Sequence, residues 1–206
     1  MIGYYNYTVI LTYLGLISSI IGIYFSVEFH PFIGIICLLV SGLCDMFDGK
    51  VARTKERTKQ ERDFGIQLDS LSDLICFGIL PIMIGYSIGL DHWMYLPIFA
   101  LYVLGALIRL AYFNTLENIR QENTTEVLKY YTGLPVTSVA LILPFIYIFK
   151  NIVPYFEYVY LVALFVIALL FVSKLKIKKP TLKTMLVMMA IGIIELIFII
   201  LGKIWK

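Results

Sequence analysis

Long apolar stretches separated by short polar segments organise this chain from end to end. A helix that crosses the hydrocarbon core of a membrane needs about 20 predominantly apolar residues. On that measure the pattern predicts seven spans, at about 7–27, 32–44 (continuing as helix to 53), 64–89, 93–113, 134–149, 155–173 and 184–201. The seventh could instead pack as a peripheral helix. Pro81 should kink the third span, unless a neighbouring helix satisfies the carbonyl group that a proline frees.

Composition supports a membrane protein and excludes an ordinary soluble domain. The chain is 60% hydrophobic and 15% charged, whereas charged residues make up about 25% of a typical soluble domain. The predicted fold class is all-α: a polytopic integral membrane helix bundle with six core transmembrane helices plus a seventh, forming a single membrane domain over residues 1–206. Cys37, Cys44 and Cys76 fall in apolar segments without zinc-site spacing, which indicates small core residues.

The positive charges predict an orientation in the membrane. The loops after the second, fourth and sixth spans lie on one side and carry nearly all of the lysines and arginines. The opposite side has Lys150, Lys203 and Lys206. The positive-inside rule therefore predicts a cytoplasmic N-terminus and an external C-terminus in the cell membrane. The net charge of +3 is modest, and no nucleic-acid partner is predicted.

Two pairs of aspartates stand where apolar spans meet the same polar loop. Asp45 and Asp48 are three residues apart, and Asp69 and Asp73 are four apart, so each pair projects from one face of a helix. Four like charges repel strongly in a low-dielectric setting. Cations between them would relieve this repulsion, and ligand sets made only of oxygen suit Mg²⁺, Mn²⁺ or Ca²⁺. The alternative is that the carboxylates pair with the neighbouring lysines and arginines.

The residues beside the first pair suggest what such a metal site would bind. Gly49 allows a ligand to approach the backbone closely, and Ala52 clears the same helix face. Arg53 has the planar guanidinium that clamps phosphate groups. Carboxylates, small residues and an arginine together suit a diphosphate bridged by divalent metal ions. The cytoplasmic end of the second span is thus a candidate enzyme active site.

The same residues resemble the signature of the CDP-alcohol phosphatidyltransferase family. The motif Asp-x-x-Asp-Gly-x-x-Ala-Arg, followed by Gly-x-x-x-Asp-x-x-x-Asp, is matched by Asp45, Asp48, Gly49, Ala52, Arg53, Gly65, Asp69 and Asp73. The spacer over residues 54–64 is longer than the family's usual spacer. The extra residues are expected to lengthen the connection between helices without moving either aspartate pair. Thr8-Val9 stand where family members often have Pro-Asn.

The resemblance implies roles for these residues. All four aspartates would hold two divalent cations, Mg²⁺ or Mn²⁺, and Asp73 would also act as the general base. Gly49, Ala52, Arg53 and Gly65 would line the site of a CDP-activated lipid, and Thr12 would face its nucleotide. The resemblance covers a catalytic core over about 8–150 and implies a homodimer. Over the C-terminal helices, 154–206, only the apolar character agrees.

Further residues resemble the phosphatidylserine synthase branch of this family. These are Asp63–Asp73, Phe77-Gly78, Pro81, Arg109–Asn114 and Gly133-Leu134-Pro135. The branch implies transfer of the phosphatidyl group of CDP-diacylglycerol, or the lipid of a CDP-activated archaeal lipid, to L-serine. CMP would be released. Arg109 is the candidate partner of the serine carboxylate, and Asn114 the candidate hydrogen-bonding partner of the amino acid.

Two alternatives remain open at this point. The same chemistry could use another acceptor, such as glycerol 3-phosphate or inositol phosphate, which would favour several clustered basic residues near the metals. A divalent-metal transporter would instead need acidic residues near mid-membrane and a polar pathway to the far side. The transporter would leave Gly49, Ala52 and Arg53 without a role.

Overall fold

The computed structural model is a bundle of apolar helices and describes residues 3–123, 130–178 and 181–204. Its α-helices and strands are α1 Ile10–Val27, α2 Pro31–Val51, α3 Lys59–Asp73, α4 Leu80–Ser87, α5 Leu96–Asn123, β1 Tyr130–Thr132, α6 Val139–Ile148, α7 Phe156–Phe171, β2 Lys176–Lys178 and α8 Leu182–Ile204. Short 3₁₀ turns cover Tyr7–Val9, Ala52–Thr54, Trp93–Tyr95, Val136–Ser138 and Phe149–Asn151. A π-helical segment, Leu74–Ile79, joins α3 to α4.

The apolar helices confirm a polytopic helical membrane protein. Within the described residues, five helices are long and apolar enough to cross a membrane: Tyr7–Val27, Pro31–Thr54, Lys59–Ser87, Trp93–Ile119 and Lys183–Gly202. The predicted fifth and sixth spans correspond to shorter apolar helices, Val136–Asn151 and Phe156–Phe171. The core lies between α2, α4, α5, α6 and α7, where side chains such as Leu38, Ile84 and Tyr102 are fully buried.

Two predicted boundaries were wrong because polar residues continue the helices. The fourth span was predicted to give way to a polar loop at Asn114, but α5 continues to Asn123. The third span was predicted to begin near Phe64, but α3 begins at Lys59. Thr58 caps it, accepting a hydrogen bond from the backbone N–H of Glu61, whose carboxylate accepts one from the N–H of Thr58. Part of the long 54–64 spacer is therefore helix and not connection.

Small residues let α1 and α2 pack closely. A Cβ atom added to Gly22 would lie 2.7 Å from Cβ of Cys37, and one added to Gly15 would lie 3.3 Å from Cβ of Cys44. Ser19 and Ser41 share a hydrogen bond of 2.8 Å between these glycine contacts. Interfaces of this kind are common between membrane helices, where small side chains bring backbones together. Cys37 and Cys44 are thus small packing residues, as predicted, and Cys76 is buried as well.

A neighbouring helix satisfies the carbonyl group that Pro81 frees, which was the condition for a helix without a kink. The carbonyl group four residues before it, that of Phe77, accepts a hydrogen bond of 2.8 Å from the hydroxyl of Tyr102 on α5. The carbonyl of Pro81 itself accepts one of 3.0 Å from Tyr160 on α7. The backbone is also widened into a π-helical turn directly before α4. Tyr102 of a neighbouring helix therefore supplies the donor that the proline lacks.

A short β-ribbon joins two loops that are far apart in the sequence. β1 pairs antiparallel with β2, with Tyr131 opposite Ile177 and Thr132 opposite Lys176. The N–H of Gly133 donates to the carbonyl of Leu175 at 2.8 Å, next to the ribbon. The all-α prediction missed these two strands, which are three residues each. The pairing places the loop after α5 and the loop after α7 at the same end of the bundle, as the charge pattern predicted.

Candidate active site

The four aspartates meet where the end of α2 faces the end of α3. Asp45 lies within hydrogen-bonding distance of Asp73, and Asp48 within hydrogen-bonding distance of Asp69. Both contacts join α2 to α3. The spacing of the aspartates along each helix does not predict which carboxyl group of the other helix each one meets. Because α2 and α3 run in opposite directions, the earlier residue of one pair faces the later residue of the other. We call these four residues the acid cage.

The acid cage lies partly inside the protein. Asp48 and Asp73 are only 9% and 8% exposed. Thr12 on α1 donates a hydrogen bond of 3.3 Å from its hydroxyl to Asp48, so this predicted nucleotide contact is at the cage. All four aspartates and Thr12 line one small cavity, together with residues from α1, α2, α3 and the π-helical segment: Leu11, Gly15, Ser41, Cys44, Ser72, Cys76 and Phe77.

The donor set fits divalent metal better than ion pairing with neighbouring bases. One carboxylate oxygen each from Asp45, Asp48 and Asp69 lies within 4.8 Å of the others, a spacing that a shared cation can bridge. Asp73 adjoins this group through Asp45. Lys55, in the adjoining loop, forms an ion pair of 3.8 Å with Glu61 and not with an aspartate of the cage. The cage therefore places carboxyl groups against one another, where cations would be needed to hold them all ionised.

Open space lies beside the cage at the end of α2. A Cβ atom added to Gly49 would meet nothing within 4 Å, so packing does not explain a glycine there. Ala52 and Arg53 follow in the 3₁₀ turn and line an open cavity of about 470 Å³. Its other lining residues are Lys55, Glu56, Arg57 and Arg62. Gly65 adjoins the same group, since a Cβ atom there would lie 3.2 Å from Nη1 of Arg57.

Arg109 on α5 lies close enough to the cage to interact with its charges. It is 8% exposed, and its charge interacts with those of Asp73 and Asp45. Two aromatic rings cover its guanidinium group: Cζ lies 5.1 Å from the ring centre of Phe113 and 6.0 Å from that of Tyr131. Nε of Arg109 has no hydrogen-bond partner within the described part of the chain. The predicted acceptor-binding arginine is thus close enough to the predicted general base for their charges to interact.

Asn114, the other predicted acceptor contact, is tied to α3. Its Oδ1 accepts a hydrogen bond of 3.0 Å from the hydroxyl of Ser70, which follows Asp69 directly. Sequence reasoning missed Ser70 and Tyr131 as neighbours of the site. The signal for Tyr131 was the run Tyr130-Tyr131-Thr132 before Gly133, which favours a strand ending in a turn. Burial raises the pKa of the Tyr131 phenol, an effect that nearby Arg109 partly offsets, so the ring beside the guanidinium is neutral at neutral pH.

Comparisons with known proteins match the part of the chain that carries this site. The family model described as CDP-alcohol phosphatidyltransferase matches residues 5–173. The chain is 38% identical over 123 residues to a CDP-diacylglycerol–serine O-phosphatidyltransferase of Saccharomyces cerevisiae, covering 55% of this chain and 44% of that protein. It is 32% identical over 140 residues to an archaetidylserine synthase of Methanothermobacter thermautotrophicus, covering 68% and 56%.

A third similar protein is a CDP-diacylglycerol–serine O-phosphatidyltransferase of Helicobacter pylori. It is 36% identical over 110 residues, which cover 52% of this chain and 43% of that protein. These matches therefore span about half the length of the curated relatives. Every residue of the acid cage, Arg109 and Tyr131 fall inside the family match, whereas β2 and α8 lie beyond its end.

Proposed function

The chain belongs to the CDP-alcohol phosphatidyltransferase family, and on that premise we propose that it is a metal-dependent phosphatidylserine synthase. It would transfer the phosphatidyl group of CDP-diacylglycerol, or the lipid of a CDP-activated archaeal lipid, to L-serine and release CMP. The observation that carries the proposal is the acid cage, in which two helix ends bring four carboxyl groups together beside open space.

The acid cage is the proposed site of two divalent cations, Mg²⁺ or Mn²⁺. Asp45, Asp48, Asp69 and Asp73 would hold them with oxygen ligands, which both ions prefer. When bound, such ions polarise phosphoryl oxygens and stabilise a departing phosphate. The protein's part is to fix the carboxylates: Thr12 positions Asp48 by a hydrogen bond, and the packing of α1 on α2 keeps the helix ends in place.

Asp73 is the proposed general base. It would accept the proton of the serine hydroxyl while the oxygen of that hydroxyl forms a bond to the phosphorus carrying the lipid. The bond from this phosphorus to the oxygen of CMP breaks in the same exchange. Burial of Asp73 keeps bulk water away from the base, and the positive charge of Arg109 interacts with it.

The CDP-activated lipid is proposed to lie across the open end of α2. Gly49 would allow the diphosphate to approach the helix backbone, since nothing in the protein fills that space. Ala52, Arg53 and Gly65 would line the nucleotide side, and the guanidinium of Arg53 would bind a phosphate oxygen. Thr12 would face the nucleotide from α1. The lipid tails would lie between the helices and the membrane.

L-serine is proposed to bind between Asp73 and Arg109. The buried guanidinium has an unused Nε donor, and a carboxylate is its natural partner. Asn114, held against α3 by Ser70, would bind the amino acid through its carboxamide. The similar proteins from yeast, Helicobacter pylori and Methanothermobacter thermautotrophicus all have serine in their names, which supports this acceptor.

We further propose that the protein lies in the cell membrane with the acid cage facing the cytoplasm and that it forms a homodimer. The orientation rests on the excess of lysine and arginine in the loops at the cage end of the bundle. The homodimer rests on the resemblance to the family.

The test is CMP release by the purified protein in lipid. CDP-diacylglycerol is supplied with serine, glycerol 3-phosphate or inositol phosphate in separate reactions. We expect CMP with serine, loss of all turnover after chelation, and recovery when Mg²⁺ or Mn²⁺ is added back. Turnover that survives chelation would contradict the role of the acid cage, and CMP release with another acceptor but not with serine would contradict the acceptor.

A phosphorylated acceptor is the second candidate, and the cavity beside Arg53 favours it. Arg53, Lys55, Arg57 and Arg62 contribute four cationic side chains to one open cavity, against the single acid Glu56. A cluster of this kind suits a phosphate group. The same three-acceptor experiment separates the two candidates. A metal transporter gains no support, because it would leave the open space at Gly49 and the cationic cavity beside Arg53 without a role.

A further inference from the structure

The guanidinium group of Arg109 is held in place by aromatic rings and not by a carboxylate in direct contact. Phe113 is one turn further along α5 and comes from the same helix. Tyr131 comes from β1, in the loop that follows, and its ring contacts that of Phe113 edge-to-face at 5.6 Å. Rings on a guanidinium group fix the plane of that group without using its N–H donors. Nε of Arg109, which has no hydrogen-bond partner among the described residues, therefore remains for a ligand.

The position of Tyr131 depends on a second segment of the chain. Tyr131 is opposite Ile177 in the ribbon, and the Gly133–Leu175 hydrogen bond stands two residues away. Hydrogen-bonded pairs alternate along an antiparallel ladder, so Tyr131 and Ile177 form the next such pair, and Thr132 and Lys176 do not. β2 is the next element after α7 and lies beyond residue 173, where the family match ends.

From this we infer that Tyr131 is a positioning residue for the acceptor, and that the β1–β2 ribbon sets its place over Arg109. The ribbon thereby connects the helices at the C-terminal end of the chain to the choice of acceptor. This inference rests on the proposed function, in which Arg109 binds the carboxylate of serine. It goes beyond that function by assigning a role to β2, which carries no motif residue.

The first test changes the ring. Tyr131→Leu removes the aromatic face, and we expect the KM for serine to rise roughly 2- to 30-fold, the range that cation–π energies imply. The KM for CDP-diacylglycerol should stay near its wild-type value. Tyr131→Phe keeps the ring and should recover most of the loss. Because Tyr131 acts through Arg109, adding Arg109→Ala to Tyr131→Leu should raise the KM for serine no further than Arg109→Ala alone.

The second test changes the ribbon without touching the site. Ile177→Pro removes a backbone N–H that pairs with β1, and should raise the KM for serine in the same way as Tyr131→Leu. Lys176→Pro is the matched control, because the N–H of a residue in a non-hydrogen-bonded pair points away from the partner strand. It should leave both KM values unchanged. Unfolding measurements on each variant show whether the bundle is intact.

The outcomes separate this inference from the proposed function. A KM for serine that is unchanged in Tyr131→Leu, or a Lys176→Pro effect equal to that of Ile177→Pro, would overturn the ribbon's role while leaving the function in place. If the wild-type protein uses a different acceptor, the proposed function fails, and the same variants are measured with that acceptor. A rise in its KM would support the ribbon's role, and no rise would overturn it.

Discussion

The middle of α2 and its end use small residues in opposite ways. In the middle, Cys37 lies so close to Gly22 of α1 that one added carbon atom would not fit. At the end, Gly49 has nothing within 4 Å of the position where a side chain would begin. In the middle, other atoms of the protein fill the space beside the small residues, and the polar side chains of Ser19 and Ser41 hydrogen-bond to each other. The end leaves open space at Gly49, and its two aspartates face carboxyl groups of α3.

This difference indicates that small residues serve packing in the middle of α2 and ligand binding at its end. Glycine in a helix interior costs up to about 1 kcal/mol relative to alanine. In the middle of α2 and α1 that cost is offset by close contact between helices. No contact offsets it at Gly49, which supports a ligand as the reason for the glycine. The same contrast holds for polar groups: Ser19 and Ser41 form a hydrogen bond between α1 and α2, whereas the aspartates of the acid cage lie against one another.

The largest effect should come from the general base at the end of the helix pair. Asp73→Asn keeps the shape of the side chain but cannot accept the proton, so we expect CMP release to fall by about 10²–10⁴-fold. CDP-lipid binding and the unfolding midpoint should stay close to wild type, as measured by lipid titration and denaturant unfolding. Glu195→Gln, a change at a buried carboxyl on α8, is the control and should keep turnover. Normal turnover in Asp73→Asn would remove the base from the mechanism.

A smaller effect is expected at the arginine that faces the cage. Arg109→Ala removes a charged donor, and charged hydrogen bonds contribute about 1.5–3 kcal/mol, so the KM for serine should rise roughly 10- to 150-fold. The KM for CDP-diacylglycerol should change less. Steady-state kinetics with each substrate varied in turn measures the two values. Equal changes in both would mean that Arg109 supports the fold and does not select the acceptor.

The smallest effects compare the glycines directly. Gly22→Ala should destabilise the bundle by about 1–3 kcal/mol, because the added methyl group overlaps Cys37. Gly49→Ala should not destabilise it and could add up to about 1 kcal/mol, but it should weaken CDP-lipid binding. Gly202→Ala on α8 is the matched control, since Gly202 also has open space around it and lies far from the cage in sequence. If Gly49→Ala left the affinity for the CDP-lipid unchanged, Gly49 would not differ from Gly22 by making room for a ligand.

The spans were predictable because spanning a membrane imposes a length and an apolar character that the sequence shows directly. The first span, at about 7–27, coincides with the helix Tyr7–Val27. The start of α3 was missed because its first turn is charged, and a local cap at Thr58, not hydropathy, decides where that helix begins. The ribbon was missed because three-residue strands have little periodicity, and their pairing joins residues far apart in the sequence.

The sequence by itself determined that four aspartates project in two pairs from helix faces, because helical spacing is a local property. It also determined the family, since the motif residues stand at fixed intervals. Only the tertiary structure decided that Asp45 meets Asp73 and Asp48 meets Asp69, that Gly49 faces open space while Gly22 does not, and that Tyr131 covers Arg109. Such contacts depend on how separate helices and loops pack against each other, and the residue spacing within one segment does not predict that packing.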